Sequence, residues 1–393
     1  MVRAYIEKEK NNIKKIYDIL EKNVFEDENS FAIIALSGGP DSIYLAEMTY
    51  NYLLNERKVL KENISNYMIA VHVNHMIRRE AKEDEILAKE FCKSRNIPFV
   101  VYSENMEKEA ETAKESVETY SRNYRYNTFK KEAEKYLKEK ENINPNINPN
   151  INPKVSILTA HTYDDNAETI FLRLMRGTSK KGLEGIAKNT KISDNIYLVR
   201  PILNIKKENL IEYLKNNDIK FAVDKTNFET EYTRNKVRNI LFKEIKDYGF
   251  DITRSLNSLS ENIIEEEKYL EKELEKVIIE CEIKLEKDYL EKKNEEKLDY
   301  KKIKIYDIDK LINYDKYIIK RIIAKTIEDI WYGSNNVTSI NIEDIYMLIK
   351  NNINGKKLYP NKNILVEIER KEKYQKDEKL SNSQKVVSFK KIK

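Results

Sequence analysis

A chain of 393 residues is too long for one typical hydrophobic core and points to two or three domains. Charged residues are 35% of the total and hydrophobic ones 40%, which suits a soluble globular protein with a very polar surface, and no apolar run reaches the length of a membrane span. The net charge of +5 permits an RNA partner without demanding one, because a local basic patch matters more than the sum.

Two cysteines, Cys92 and Cys281, form no C-x-x-C pair, and the three histidines, His72, His75 and His161, are scattered. Both facts argue against a zinc ribbon, an iron–sulfur site or a disulfide framework. The first ten residues lack a signal-peptide core, so a cytoplasmic protein is expected.

In chain order, residues 4–22 carry apolar positions at Ile6, Ile13, Ile16, Tyr17, Ile19 and Leu20, a lead-in helix. Phe31 to Leu36 reads as a buried strand. It stops at Ser37-Gly38-Gly39-Pro40-Asp41-Ser42, and a helical pattern (Ile43, Leu45, Ala46, Met48) follows to about Leu60. A strand, a glycine turn and a helix start together make an anion site. Backbone N–H groups at a helix N-terminus lack intrahelical partners, and glycines let a phosphate approach them. Ser37 and Ser42 add hydroxyls, and Asp41 adds a carboxylate suited to Mg²⁺ between phosphate oxygens. An ordinary turn is the competing reading, but only 8 glycines occur in the chain and two adjoin here. The G-x-x-x-x-G-K-[ST] spacing of a Walker A loop is absent.

Tyr67 to Val73 is a second apolar run, with Asn74-His75-Met76-Ile77-Arg78-Arg79 directly after it. A helix over 80–95 and a third strand at Pro98–Tyr102 follow. Ser121-Arg122-Asn123-Tyr124-Arg125-Tyr126 sets two arginines beside aromatic rings, suited to base stacking or phosphate clamping, or to a plain salt-bridged helix face. Asn-Ile-Asn-Pro then repeats over 142–153; proline every fourth residue forbids helix, and an expanded surface loop is expected. Lys154 to Ala160 is strand four. Strands alternating with helices imply a parallel sheet covered on both faces, with ligands beyond the carboxyl ends of the strands. Each candidate segment lies just after a strand.

His161-Thr162-Tyr163-Asp164-Asp165-Asn166-Ala167-Glu168 follows strand four. On a helix starting near Asp164, Asp165 and Glu168 share a face and suit a cationic amino acid. Helix capping explains the same residues equally simply. Leu172 to Ile186 combines Arg173, Arg176, Lys180 and Lys181 with three glycines, which suits phosphate or RNA contact or a flexible loop. Arg200-Pro201 and the stretch Asp224 to Asn239 complete the set, with Arg234 and Arg238 at i,i+4 aimed at a polyanion or paired with nearby acids.

Beyond about residue 245 the chain becomes dense in Glu and Lys with helical periodicity over Glu261–Leu298, Tyr317–Ile330 and Ile342–Asn351. A turn and strand, or a hairpin, is expected over 354–370. The expected division is therefore 1–245 and 246–393, the latter a docking or dimerising module.

Ser37 to Ser42 resembles the SGGxDS loop of the PP-loop (N-type) ATP pyrophosphatases. In order and spacing, that loop with His72–Arg78, Ser121–Tyr126, Thr159–Thr169, Leu172–Ile186, Arg200–Leu203 and Asp224–Arg238 resembles the tRNA(Ile)-lysidine synthetases. The resemblance implies a Rossmann-like parallel-sheet ATPase domain followed by a mostly helical C-terminal domain. It implies ATP-dependent conversion of the wobble cytidine of a CAU-anticodon tRNA(Ile) to lysidine, with L-lysine and Mg²⁺, no membrane, and a homodimer among the expected assemblies. By the same resemblance Ser37, Gly38, Gly39, Pro40, Asp41, Ser42, Asn74 and His75 hold ATP, and Asp41 serves Mg²⁺ or acts as base. His161, Asp165 and Glu168 position lysine or the reacting base; Arg122, Arg125, Arg234 and Arg238 meet phosphate; Arg173, Arg176, Lys180 and Lys181 face the tRNA. Two positions depart from the family pattern: Thr162 stands where many relatives have His, and Met76 where relatives often have Gly. A tRNA thiolase on the same fold and a non-catalytic RNA-binding relative are the rival readings.

Overall fold

A computed structural model describes residues 2–76, 81–143, 153–222, 233–283, 298–330, 338–372 and 383–392. Arg78, positions 144–152 of the Asn-Ile-Asn-Pro repeat and the Asp224–Asn227 stretch lie outside the described residues, as does 284–297. The chain divides into two compact units, Met1–Ile263 and Ile264–Lys393, so the expected limit at 245 falls inside the first unit.

The first unit runs α1 (Val2–Asn23), β1 (Phe31–Ala35), α2 (Pro40–Asn55), β2 (Met68–Asn74), α3 (Ala81–Ser94), β3 (Phe99–Ser103), α4 (Met106–Ala113), α5 (Val117–Ile143), β4 (Val155–Leu158), α6 (Tyr163–Met175), β5 (Asn189–Ser193), β6 (Ile196–Val199) and α7 (Lys207–Asn216). Then come α8 (Thr233–Lys236), α9 (Phe242–Asp247) and α10 (Ile252–Cys281), which extends into the second unit. The sheet order is β3-β2-β1-β4-β6-β5. All neighbours are parallel except β5 against β6. Strand order reverses at β1, so the crevice beyond β1 and β4 is the topological switch point, where ligands of such sheets bind.

Alternation along β1 explains its apolar run. Phe31 and Ile33 pack with Phe129 and Ala133 of α5, while Ala32 and Ile34 pack with Leu45 and Met48 of α2 and Leu20 of α1. Burial on both faces is what a continuous hydrophobic strand in a parallel sheet requires. Helix α2 stops at Asn55, short of the expected Leu60, and a 3₁₀ turn over Lys61–Asn66 leads into β2. The sequence pattern does not predict β5 and β6, which are short; β6 pairs in parallel with β4 and carries β5 as a local antiparallel neighbour.

The second unit combines the helices Lys316–Ile330 and Ser339–Asn351 with a four-stranded antiparallel sheet. Its strands are β7 (Leu298–Asp307), β8 (Lys357–Asn361), β9 (Ile364–Glu372) and β10 (Ser383–Ile392), in the order β7-β10-β9-β8. The expected hairpin is β8–β9. Leu274 and Cys281 share a core with Ile322, Ile323 and Ile327 and with Val366, Ile368, Val387 and Phe389.

One buried polar bridge holds α6 to the start of α10. Asn166 accepts the Ile186 N–H at 2.6 Å and donates to Asn257 Oδ1 at 2.8 Å, and Asn257 donates to the Tyr163 carbonyl. Gly185 passes so close that a Cβ there would lie 2.3 Å from Asn166 Oδ1. Asn166→Ala leaves the part-buried Ile186 N–H and the buried Asn257 amide oxygen without these partners, so we expect about 2–4 kcal/mol of destabilisation from two lost bonds, read as a lower urea midpoint at unchanged m-value.

Candidate active site

The loop after β1 is shaped from within. Gly38 takes φ +89, and a Cβ on it would meet the Asp84 carbonyl oxygen at 2.8 Å, so neither the backbone angle nor the space admits another residue. Its own carbonyl accepts the Ala222 N–H at 2.9 Å. Ser42 is buried; its hydroxyl donates to the Gly39 carbonyl at 3.0 Å and accepts the Ser37 N–H at 3.2 Å. The Ser42 hydroxyl, expected as a donor to phosphate, gives its proton to the Gly39 carbonyl and staples the turn. Ser37 is exposed and its Oγ lies 3.1 Å from Ser42 Oγ. Pro40 in the first turn of α2 gives up no needed N–H, and Asp41 beside it suits the positive end of the helix.

Asp41 pairs with Lys207, the first residue of α7, at 3.1 Å, a partner that motif reading missed because α7 lies far along the chain. Burial lifts the Asp41 carboxyl above its usual range, Lys207 offsets this in part, and nearby Asp165 adds to it. Asp41 Oδ1 is buried with no hydrogen-bond partner among the described residues, and the residue lines the cavity. Among the described residues no group of three or more His, Cys, Asp or Glu could hold a metal. A single carboxylate with an open oxygen fits Mg²⁺, which takes one or two carboxylates and fills its shell with phosphate and water oxygens. Asp164 serves structure: its Oδ2 accepts the Lys207 N–H at 2.8 Å and so caps α7.

Thr162 is the N-cap of α6, in a reciprocal capping box with Asp165. The departure from His at this position thus has a local use, since threonine caps helices well. Asp165 divides its oxygens, Oδ2 accepting from Thr162 at 2.8 Å and Oδ1 from Arg238 at 3.0 Å. Burial alone would raise this carboxyl, but Arg234, Arg238 and the Thr162 donors outweigh it and hold it below the usual range. Glu168 is 1% exposed. Arg238 forks onto it, Nε to Oε1 at 2.5 Å and a terminal N–H to Oε2 at 2.9 Å, and Arg234 Nε reaches Oε2 at 2.8 Å. The i,i+4 arginines do project together, from α8 and the π-helical turn Val237–Leu241 after it. In this structure they meet these two carboxylates.

A cavity of about 710 Å³ opens at the switch point. It is lined by the Ser37–Ser42 loop, by Asn74 and His75 after β2, by Arg125 and Tyr126 of α5, and by His161 after β4. Burial lowers the His161 pKa to about 4, with Asp165 opposing and Arg200, Arg125 and Arg234 reinforcing, so the imidazole is neutral at pH 7. Asn74 braces the cavity wall, donating to Glu85 at 2.9 Å and accepting the Met76 N–H at 3.0 Å. Met76 takes φ +52, a left-handed angle that the glycine of relatives adopts without strain. Arg122 is exposed and does not line the cavity. Arg173, expected at the tRNA, donates to the Gly182 and Gly185 carbonyls at 3.0 and 2.7 Å and so clamps its own segment. Arg176, Lys180 and Lys181 are exposed on the segment it clamps.

The PP-loop domain family matches residues 8–245. The tRNA(Ile)-lysidine synthase of Clostridium acetobutylicum is 33% identical over 262 residues, 66% of this chain and 51% of that protein. Its counterpart in Clostridioides difficile is 31% identical over 354 residues, 90% of this chain and 68% of that protein. The solved structure of a U34-tRNA thiolase from Methanococcus maripaludis is similar at 16% identity and a TM-score of 0.46, over 67% of this chain and 80% of that chain. The chain spans from about half to about two thirds of the length of these curated relatives. The glycine loop at the switch point, the family match and the Clostridioides difficile relative together make the chain a member of the PP-loop family and, within it, of the tRNA(Ile)-lysidine synthase family.

Proposed function

We propose that the chain activates the wobble cytidine of a CAU-anticodon tRNA(Ile) with ATP and joins lysine to it. The observation that carries this reading is a glycine turn at the start of α2 and a paired acid–arginine cluster on α6, helices that follow the two strands at the order reversal. In the first step the cytosine O2 attacks the α-phosphorus, an O–P bond forms, and the bond to the β-phosphate breaks to release pyrophosphate. The N–H groups opening α2 and the Ser37 hydroxyl would hold the phosphate oxygens as their charge shifts. Mg²⁺ bound at Asp41 would supply charge neutralisation at those oxygens.

In the second step the lysine ε-amine, having lost a proton, attacks C2 and AMP leaves. Free lysine has a pKa of about 10.4, so a base must take that proton. Neutral His161 would serve as a hydrogen-bonding group rather than a cation at the reacting ring. Asp165 and Glu168 with Arg234 and Arg238 match an amino acid's two charged ends, the carboxylates toward an ammonium and the guanidinia toward a carboxylate. A thiolase reading is less well supported. Cys92 and Cys281 are free, and burial pushes their thiols up to about 12 and about 11, away from a nucleophilic thiolate. Free thiols also suit the reducing cytoplasm we expect.

Purified protein given ATP, Mg²⁺, labelled lysine and a tRNA(Ile) transcript should incorporate label, and absence of label in the RNA would reject the reading. Asp41→Ala should abolish tRNA-dependent ATP–pyrophosphate exchange with the circular dichroism spectrum retained; full residual exchange removes Asp41 from the chemistry.

The raised Asp41 pKa also predicts a stability effect of opposite sign to the activity effect. A carboxyl whose folded pKa exceeds its unfolded value makes folding less favourable as pH climbs through that interval, and the cost persists above it. Asp41→Asn should therefore match or exceed the wild-type melting temperature at pH 7, with the advantage shrinking toward pH 4, while exchange activity is lost. A variant that melts well below wild type at pH 7 contradicts this sign.

A further inference from the structure

His72 lies within the apolar strand β2 and is 4% exposed. A buried polar ring needs a partner, since an unsatisfied polar group away from water is costly. Its partner is a backbone oxygen: His72 Nδ1 lies 2.8 Å from the Leu36 carbonyl. A carbonyl only accepts, so Nδ1 carries the proton. Burial lowers the His72 pKa, with the Leu36 carbonyl, Glu85 and Asp84 opposing, so the ring is neutral at pH 7 and its Nε2 bears no proton. Phe99 of β3 flanks the ring at 6.0 Å between centroids.

The place where this bond lands sets it apart from an ordinary core contact. The last register pair of β1 with β2 is Ala35 with Val71, and the Leu36 N–H still donates to the Val71 carbonyl at 3.0 Å. Leu36 is the last residue before the glycine loop. Its carbonyl belongs to the same peptide unit as the Ser37 N–H, which donates to Ser42 Oγ at 3.2 Å. That unit is planar, so a bond at each end fixes its rotation. One end is held from β2 by His72 and the other from α2 by Ser42. Beyond it, Ser37 Oγ accepts the Gly39 N–H at 3.4 Å, and His72, Ser37, Gly39 and Ser42 all line the cavity.

We propose that His72 is a positioning residue for nucleotide binding: it locks the Leu36–Ser37 peptide, and with it the Ser37 hydroxyl and the glycine turn, in the form that receives the phosphates of ATP. This rests on the functional reading above, in which that loop takes the nucleotide. A loop that is already ordered spares the cost of ordering it when ligand arrives, and fixed donors stabilise phosphate charge better than mobile ones. Without the imidazole, the Leu36 carbonyl loses a buried partner and the peptide unit is held at its Ser42 end alone.

The test compares wild type, His72→Asn and His72→Leu in the full chain. Asparagine offers an amide N–H where the imidazole offers Nδ1–H, whereas leucine fills the space without a donor. Affinities for ATP with Mg²⁺ and for adenosine are read by titration, and circular dichroism reports the fold. His72→Leu should weaken ATP binding about 2- to 10-fold, the range of one hydrogen bond, and leave adenosine unchanged, while His72→Asn stays within about twofold of wild type. An equal loss for adenosine overturns the assignment, because the ring then serves the base or the fold at large. So does an unchanged ATP affinity in His72→Leu, or an asparagine variant no better than the leucine one. A second measurement needs no stable leucine variant. With three histidines in the chain, ¹⁵N-histidine NMR of wild type against His72→Asn assigns the His72 ring, which should show Nδ1–H and a bare Nε2. The opposite tautomer overturns the proposal even where His72→Leu does not fold. Wild type that binds no ATP defeats the functional reading instead, while the tautomer still reports the bond, so the two failures are distinguished.

Discussion

Burying the Glu168 carboxylate is tolerable only because two guanidinia meet it, Arg238 as a fork and Arg234 through its Nε. That requirement organises the site. It draws the segment carrying Arg234 and Arg238 onto α6 and engages Asp165, which is already committed to capping the same helix. The helix start, the ion pairs and the position of His161 at the end of β4 become one unit. An isolated capping box would leave the arginines without a fixed place.

Across the crevice, the glycine loop is held just as firmly by neutral bonds. Gly38 fits between the Asp84 carbonyl and Ala222, and Ser42 closes the turn on Gly39 and Ser37. The loop and His161 line the cavity, whereas Asp165, Glu168, Arg234 and Arg238 are not among its lining residues, although Asp165 and Arg238 lie close enough to act on the Asp41 carboxyl.

Asp41 lines the cavity and carries a clear cost to folding. It is desolvated, answered by one lysine, and left with an oxygen that no group among the described residues satisfies. Natural sequences retain such costs where function needs them and recover stability elsewhere. Here the surrounding sheet, buried on both faces, supplies that reserve.

Local pattern alone determined β1 to β4, the helix starts after β1 and β4, and the glycine loop, because apolar period, turn chemistry and capping are written within a few residues of one another. It also placed Arg234 and Arg238 on one side of a helical segment. It left open whether those arginines face a polyanion or an acid, and whether Arg173 faces RNA or its own loop. Those answers depend on partners such as Lys207 for Asp41, 166 positions apart, and Arg238 for Glu168, 70 apart. Pairing of β7 with β10 was hidden for the same reason, since strands joined across a long stretch leave no mark in either segment. Short-range chemistry can be read from neighbours in the chain, whereas the burial and charge that decide each residue's role arise only when distant segments meet.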